Sequence, residues 1–300
     1  MDDLRLPNIR RMFKTDPGHF LIDVDLAGAD AQVVAWEAGD EILKTAFKKG
    51  LKVHIQNAIE MWGDEFIEMK EKKDVEEANK VENGPWTKKY ATKYYEIKRG
   101  VHGTNYGASA GALSAILGWT LNQSRDFQRR WFAAHPAIKE WHARTESELQ
   151  TQRAVFNAFG FRRPYFDRVD SLLPQALAWV PQSTIAIVCV AGLLQVRRTL
   201  PWARPRLQVH DSGVLLVPNH KRPELWKVHE ALKVTAPYPD PLTVQWSLKI
   251  SETTWGAAKS APWPPIPESM KNVQLSCQRI LCTSRYNASP SSPLENRPLP

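Results

Sequence analysis

The chain has 300 residues, with 40 Lys plus Arg against 32 Asp plus Glu and a formal charge of +8. That length allows about two domains with buried cores, and the basic balance favours a polyanionic partner. No apolar run reaches the roughly 18 residues that span a bilayer, the N-terminus has no signal-peptide core, and Cys277 and Cys282 have no matching Cys/His pair for zinc.

The first element read from the pattern is a short buried strand, residues 20–26 (Phe-Leu-Ile-Asp-Val-Asp-Leu). From Gly28 the chain turns helical and stops at Gly39. Residues 41–62 carry a second helical pattern, with apolar Ile42, Leu43, Phe47, Ile55, Ile59 and Met61. Residues 64–99 are dense in Lys and Glu and read as a solvated helix face without chemistry. A glycine-rich helix is expected over 90–117, and a long amphipathic helix over 124–150, interrupted at Pro136. Val155 to Phe161 reads as a strand and 175–199 as an apolar helix. Within that helix Cys189 reads as a small buried hydrophobe, and the cysteine usage suits a reducing cytosol. Leu207-Gln-Val-His and Val214-Leu-Leu-Val flank Asp211-Ser212-Gly213, which is the best hairpin signal in the chain. Residues 223–233 look helical and 242–251 strand-like. Residues 257–300, rich in Pro and Ser with little periodicity, read as a disordered tail.

Lys98, His102 and Tyr106 stand at i, i+4 and i+8, so a helix there would put an ammonium, an imidazole and a phenol ring on one face. Those groups suit a nucleotide: a cation for phosphate, and ring edges and faces for sugar and base. Gly100, Gly103, Gly107 and Gly111 in the same stretch each weaken a helix by about 1 kcal/mol against alanine, which points to close backbone approach. The alternative is a poorly helical loop with scattered polar residues.

Lys98-x-x-x-His102-Gly103-x-x-Tyr106-Gly107 resembles the fingers motif of family A DNA polymerases, the bacterial DNA polymerase I type and its bacteriophage relatives. Asp25-Leu-Ala-Gly-Ala-Asp30, with the later Gly39-Asp40, resembles the first carboxylate motif of that family, and Gln208-Val-His210-Asp211 resembles the second. Lys52-Val-His54 and Pro181-Gln182-Ser-Thr are similar to further family segments. All occur in the family order, and the resemblance covers about residues 5–256. Asp23 is a rival to Asp25, but the family carboxylate lies fifteen residues before the aspartate matched by Asp40, which favours Asp25.

The resemblance implies an α+β polymerase palm, a small antiparallel sheet backed by helices, from residues 1–50 and 150–256, with inserted helical fingers over 51–149. It implies that Asp25 and Asp211 hold two Mg²⁺ ions for in-line phosphoryl displacement. The alternative for each is an ordinary strand-end or turn aspartate bonded to its own backbone. Lys98 would contact the triphosphate and donate a proton to pyrophosphate, with His54 as a further phosphate donor. His102 would lie beside the sugar and Tyr106 near the templating base. Asp30 stands where the family has a glutamate that excludes ribonucleotides. Gln182 would read the minor groove, His210 would sit near the primer terminus, and Arg162 and Arg163 would bind strand phosphates. The chain departs from the family pattern at Tyr94, where an arginine is usual, at His102, where Phe or Tyr is usual, and at Ser212, where a glutamate often follows the second aspartate.

The function implied is template-directed DNA synthesis on a primer–template from dNTPs. Two alternatives stand beside it: a catalytically weak or silent DNA-binding remnant, and an enzyme like the single-subunit RNA polymerases. Met1 falls 24 residues before Asp25. On this reading the chain is a palm-plus-fingers piece of phage type in the host cytoplasm: a truncated gene product, a fragment, or one part of a split enzyme whose thumb or exonuclease segment is encoded separately.

Overall fold

The computed structural model describes residues 8–63, 91–166 and 172–268. The expected Lys/Glu-rich face over 64–99 therefore lies largely outside the described residues. The architecture is α+β, and it grows from one strand. β1 (His19–Leu26) is buried along nearly its whole length and pairs antiparallel on both sides. Its partners are β5 (Ser212–Pro218) and β8 (Trp246–Ser251). β4 (Arg204–Val209) and β9 (Lys259–Ala261) complete a five-stranded sheet of order β4-β5-β1-β8-β9. A separate two-stranded pair, β6 (Thr235–Ala236) and β7 (Leu242–Thr243), leads into β8.

The two-residue period of β1 sorts its side chains. Phe20, Ile22, Val24 and Leu26 enter the main core beside Leu215, Val217 and Leu248. Leu21 joins a small cluster on the other face with Val214, Leu216 and Trp255, and Asp23 and Asp25 share that second face. The core face is covered by α8 (Leu173–Thr199), α9 (Leu225–Leu232) and α1 (Ala29–Ala38). A β-carbon on Gly192 of α8 would stand 2.8 Å from the Leu232 carbonyl oxygen, so glycine is what lets α8 and α9 approach this closely.

The helices between the first and later strands form an insert. α2 (Glu41–Lys48) and α3 (Val53–Trp62) replace the single helix expected over 41–62, because Gly50 adopts a left-handed φ of 68°. The glycine-rich stretch also divides, into α4 (Ala91–Asn105) and α5 (Ala110–Leu117), at Gly107 with φ 71°. α6 (Leu121–Ala134) starts at a capping box of Thr120 and Gln123, and α7 (Pro136–Gln152) follows after the break at His135. The strand expected over 155–161 is instead a hairpin of β2 (Ala154–Phe156) and β3 (Arg162–Pro164). The Asn157 side chain closes its loop by accepting the N–H groups of Phe159 and Phe161.

Two further expectations are corrected. The tail does not lose structure at 257, since β9 pairs with β8 and the Trp263 indole donates to the Trp246 carbonyl at 2.7 Å. Also, α8 is long and apolar enough to cross a membrane by length and composition, and here half of its apolar window is buried within the protein.

A buried polar seam ties α2 and α3 to the junction of α6 and α7. His135 is fully buried between α6 and α7. Its Nδ1 lies 2.9 Å from Asp40 Oδ2, and its Nε2 faces Glu60 of α3 at 3.3 Å. Asp40 also caps α2 by accepting the Leu43 N–H. Burial alone would depress the His135 pKa, but the two carboxylates outweigh it and raise it to about 9. Burial pushes Asp40 up, and the bonds from His135 and Leu43 hold it below the usual carboxylate range.

This packing can be tested by unfolding. A histidine raised from 6.5 to about 9 contributes stability that is complete below pH 6.5 and lost as pH rises through 9. Urea unfolding of the wild type should therefore weaken above pH 8, and His135→Phe should lack that alkaline limb. At neutral pH His135→Phe should lose about 3 kcal/mol, because Asp40 keeps a buried charge without its partner. Gly192→Ala should lower stability by about 1 kcal/mol or more, since a backbone clash exceeds the helix-propensity gain. An unchanged denaturation midpoint would show that α8 and α9 can separate freely.

Candidate active site at the edge of the sheet

Asp25 lies near the end of β1 and Asp211 sits in the turn of the β4–β5 hairpin. Register brings them together: Asp25 pairs with Ser212, and the Leu26 N–H donates to the Asp211 carbonyl at 3.1 Å. The turn is two residues long, His210 and Asp211, between the paired Val209 and Ser212. His210 takes φ 52°, a left-handed conformation that a non-glycine residue adopts at a cost of about 1 kcal/mol. Gln208 Nε2 donates to the His210 carbonyl at 2.7 Å and Ser212 Oγ to the Val209 carbonyl at 2.8 Å, so the strained turn is held from both strands.

The carboxylates sense each other. Partial burial, and then the charge of Asp211, raise the Asp25 pKa to about 6, while Lys249 and Lys98 oppose the rise. Behind them Cys189 of α8 is buried, and burial followed by both carboxylates pushes its thiol up to about 12. It behaves as the inert core residue expected. Asp23, the rival to Asp25, is 6% exposed and accepts the Trp255 indole N–H at 2.9 Å. Among the described residues no three His, Cys, Asp or Glu side chains converge on a metal-sized site, and the candidate metal ligands are the pair Asp25 and Asp211.

α4 carries Lys98 and His102, with Tyr106 just past its end. Its C-terminal end is held by Asn105, whose side-chain oxygen accepts the Trp131 indole at 2.8 Å and whose carbonyl bonds His142 Nε2 at 2.8 Å. Lys98 is exposed, and its charge reaches both Asp25 and His54. His102 Nδ1 lies 2.8 Å from Asp30 Oδ2, and the Tyr106 hydroxyl donates to the other Asp30 oxygen. One carboxylate on the first turn of α1 thus ties two rings of α4 and its C-terminal end, which meet edge to face at 4.5 Å. The Tyr106 ring is 8% exposed and packs in the core, so here it is no open stacking platform. Burial, and then Asp30, push its hydroxyl pKa well above the usual range.

His54 of α3 lies against Tyr94 at 6.1 Å between ring centres. Burial, and then the neighbouring Lys98 and His102, lower its pKa to about 4, so it is a neutral imidazole near pH 7. Arg162 and Arg163 lie on β3, away from this cluster in sequence; Arg162 is exposed and Arg163 covers the Tyr165 ring at 5.0 Å. Gln182 is exposed on α8 and His210 is exposed at the hairpin tip. Sequence reasoning missed the Trp255–Asp23 lock, the His135–Asp40 pair and Lys249. Only the cross-strand position of Lys249 opposite Asp23 could have drawn attention to it.

Known proteins resemble this chain in sequence and in fold. The DNA polymerase of Mycobacterium phage D29 is 25% identical over 255 residues, covering 85% of this chain and 38% of that protein. The thermostable DNA polymerase I of Thermus filiformis is 29% identical over 249 residues, covering 79% of this chain and 27% of that protein. The chain therefore spans well under half the length of these relatives. The fold matches the POL domain of Pol1 from M. smegmatis, solved in complex with DNA primer-template and dNTP. The TM-score is 0.68 at 20% identity, over 83% of this chain and 42% of that one. The family model for DNA polymerase family A matches residues 4–254, a span that takes in both carboxylate strands and the helix of Lys98, and the chain belongs to that family.

Proposed function

We propose that this chain is the nucleotidyl-transfer region of a DNA polymerase, which extends a primer 3′-hydroxyl with dNTPs on a template strand. The observation that carries the reading is the juxtaposition of Asp25, register-paired with Ser212, and Asp211 in the adjoining turn, each in electrostatic reach of the other, with the Lys98 ammonium in reach of Asp25. Two crowded carboxylates offer hard oxygen ligands and an excess of negative charge, and the donor set fits Mg²⁺. Bound there, Mg²⁺ would supply Lewis-acid stabilisation of the phosphoryl group and of both the attacking and leaving oxygens.

The chain's own residues do the rest. Lys98 binds the triphosphate and is placed to give a proton to the leaving pyrophosphate. His54, neutral, offers a hydrogen bond rather than a charge to the same phosphates. Asp30 orients His102 toward the sugar and holds Tyr106 back. Arg162 and Arg163 take strand phosphates, His210 meets the primer terminus, and Gln182 offers a donor to the minor groove.

Primer extension with Mg²⁺ tests the reading. Asp25→Asn and Asp211→Asn should each reduce incorporation on the order of 10²–10³-fold or more, the loss expected when one electrostatic stabiliser of a charged transition state is removed. In metal-free buffer Asp25→Asn should melt at or above the wild-type temperature, because it relieves like-charge crowding. Lys98→Ala should raise KM for dNTP and lower kcat together. Wild-type extension rates in either aspartate variant would remove the two-carboxylate mechanism.

A further inference from the structure

On the outer face of the sheet, next to the carboxylate pair, lies a cleft of about 180 Å³. Its floor is a cross-strand row, Asp23 of β1, Lys249 of β8 and Ser260 of β9, directly paired in register. Its walls are Trp255 and, from the 3-10 turn Ile9–Met12 and its cap, Arg10 and Asn8. Asp25 pairs with Ser247, two residues along β8 from Lys249, so about 6.6 Å separates the cleft floor from the carboxylate pair.

The cleft holds two cations, Arg10 and Lys249, against one carboxylate, Asp23, and the Lys249 charge also reaches Asp25. Lys249 stands opposite Asp23, the obvious partner, yet Asp23 is engaged by the Trp255 indole N–H at 2.9 Å and is nearly sealed from solvent. Lys249 makes no ion pair or hydrogen bond among the described residues. Arg10 lies over the Trp255 ring, with its central carbon 4.6 Å from the ring centre. Stacking occupies the face of a guanidinium and leaves its N–H edge free for an anion. A lysine point charge, a guanidinium fork, the Ser260 hydroxyl and the Asn8 amide then surround a volume suited to one tetrahedral oxyanion.

We propose that Arg10 and Lys249 form a phosphate-binding site beside the transfer centre. The inference rests on the polymerase reading for where the phosphate comes from: a phosphodiester of the DNA strand lying over the sheet, or the phosphates of nucleotide and pyrophosphate. Both present the same oxyanion, and the experiment separates them.

The full chain would be titrated with a fluorescent primer–template in EDTA across a range of KCl concentrations. In parallel, its melting temperature would be followed with added inorganic pyrophosphate. If the strand supplies the phosphate, Lys249→Gln and Arg10→Gln each weaken DNA binding several-fold at low salt and flatten the log–log salt slope by about 0.9 per lost contact. Lys249→Arg then restores most of the slope. If the nucleotide side supplies it, the DNA slope holds in the variants, and the stabilisation by pyrophosphate seen in wild type is lost. A double variant that melts like wild type yet is unchanged in both assays overturns the site; should it fail to fold, two single variants unchanged in both assays overturn it equally. Neither readout needs synthesis. A wild type that binds DNA with these slopes but never extends a primer would defeat the polymerase reading and leave the phosphate site standing.

Discussion

Two carboxylates that repel one another, Asp25 and Asp211, are held side by side at the end of one sheet, and much of the sheet is the frame that keeps them there. A flexible pair would move apart. Here the freedom is removed by register, since Asp25 is fixed against Ser212 in a sheet whose central strand is hydrogen-bonded on both sides. A slip of one residue would send Asp25 into the apolar core and Val24 to the cleft, so hydrophobic sorting enforces the alignment. The strained φ of His210 belongs to the same frame, because it is tolerated only where two strands determine the turn.

Two polar contacts made by the helical insert differ in character. At Asp40 the carboxylate and its histidine are sealed, with exposures of 3% and 0%. At Asp30 the carboxylate is 33% exposed and its partner His102 52%. Water competes for the second contact and not for the first. The sealed one is shielded from solvent competition, while the open one exchanges more readily with water.

Much of this was legible in the residues. The alternation in 20–26 and the hairpin around Asp211 announced the two strands that meet, and the spacing of Lys98 and His102 announced their helix face. Pattern failed where a single φ decided the outcome. Gly50 and Gly107 ended helices that periodicity would have continued, and Asn157 turned an apparent strand into a hairpin. It failed again where an interaction joins distant segments. Nothing local marks His135 as a partner of Asp40, or Trp255 as the donor that occupies Asp23. The edge strand β9 was missed because its proline- and serine-rich surroundings mask a three-residue segment that gains its order from β8.

The chain order of the sheet has a consequence for how the protein is made. β1 leaves the ribosome before either of its neighbours, which do not exist until residues 212–218 and 246–251 have been synthesised. At about 5–20 residues per second, an apolar strand with both edges unsatisfied waits roughly 10 to 40 s for its first partner. During that interval the helices of the insert can form from local contacts alone. Until residues 212–218 have been read, Phe20, Ile22, Val24 and Leu26 lack the strand partners that bury them in the finished sheet.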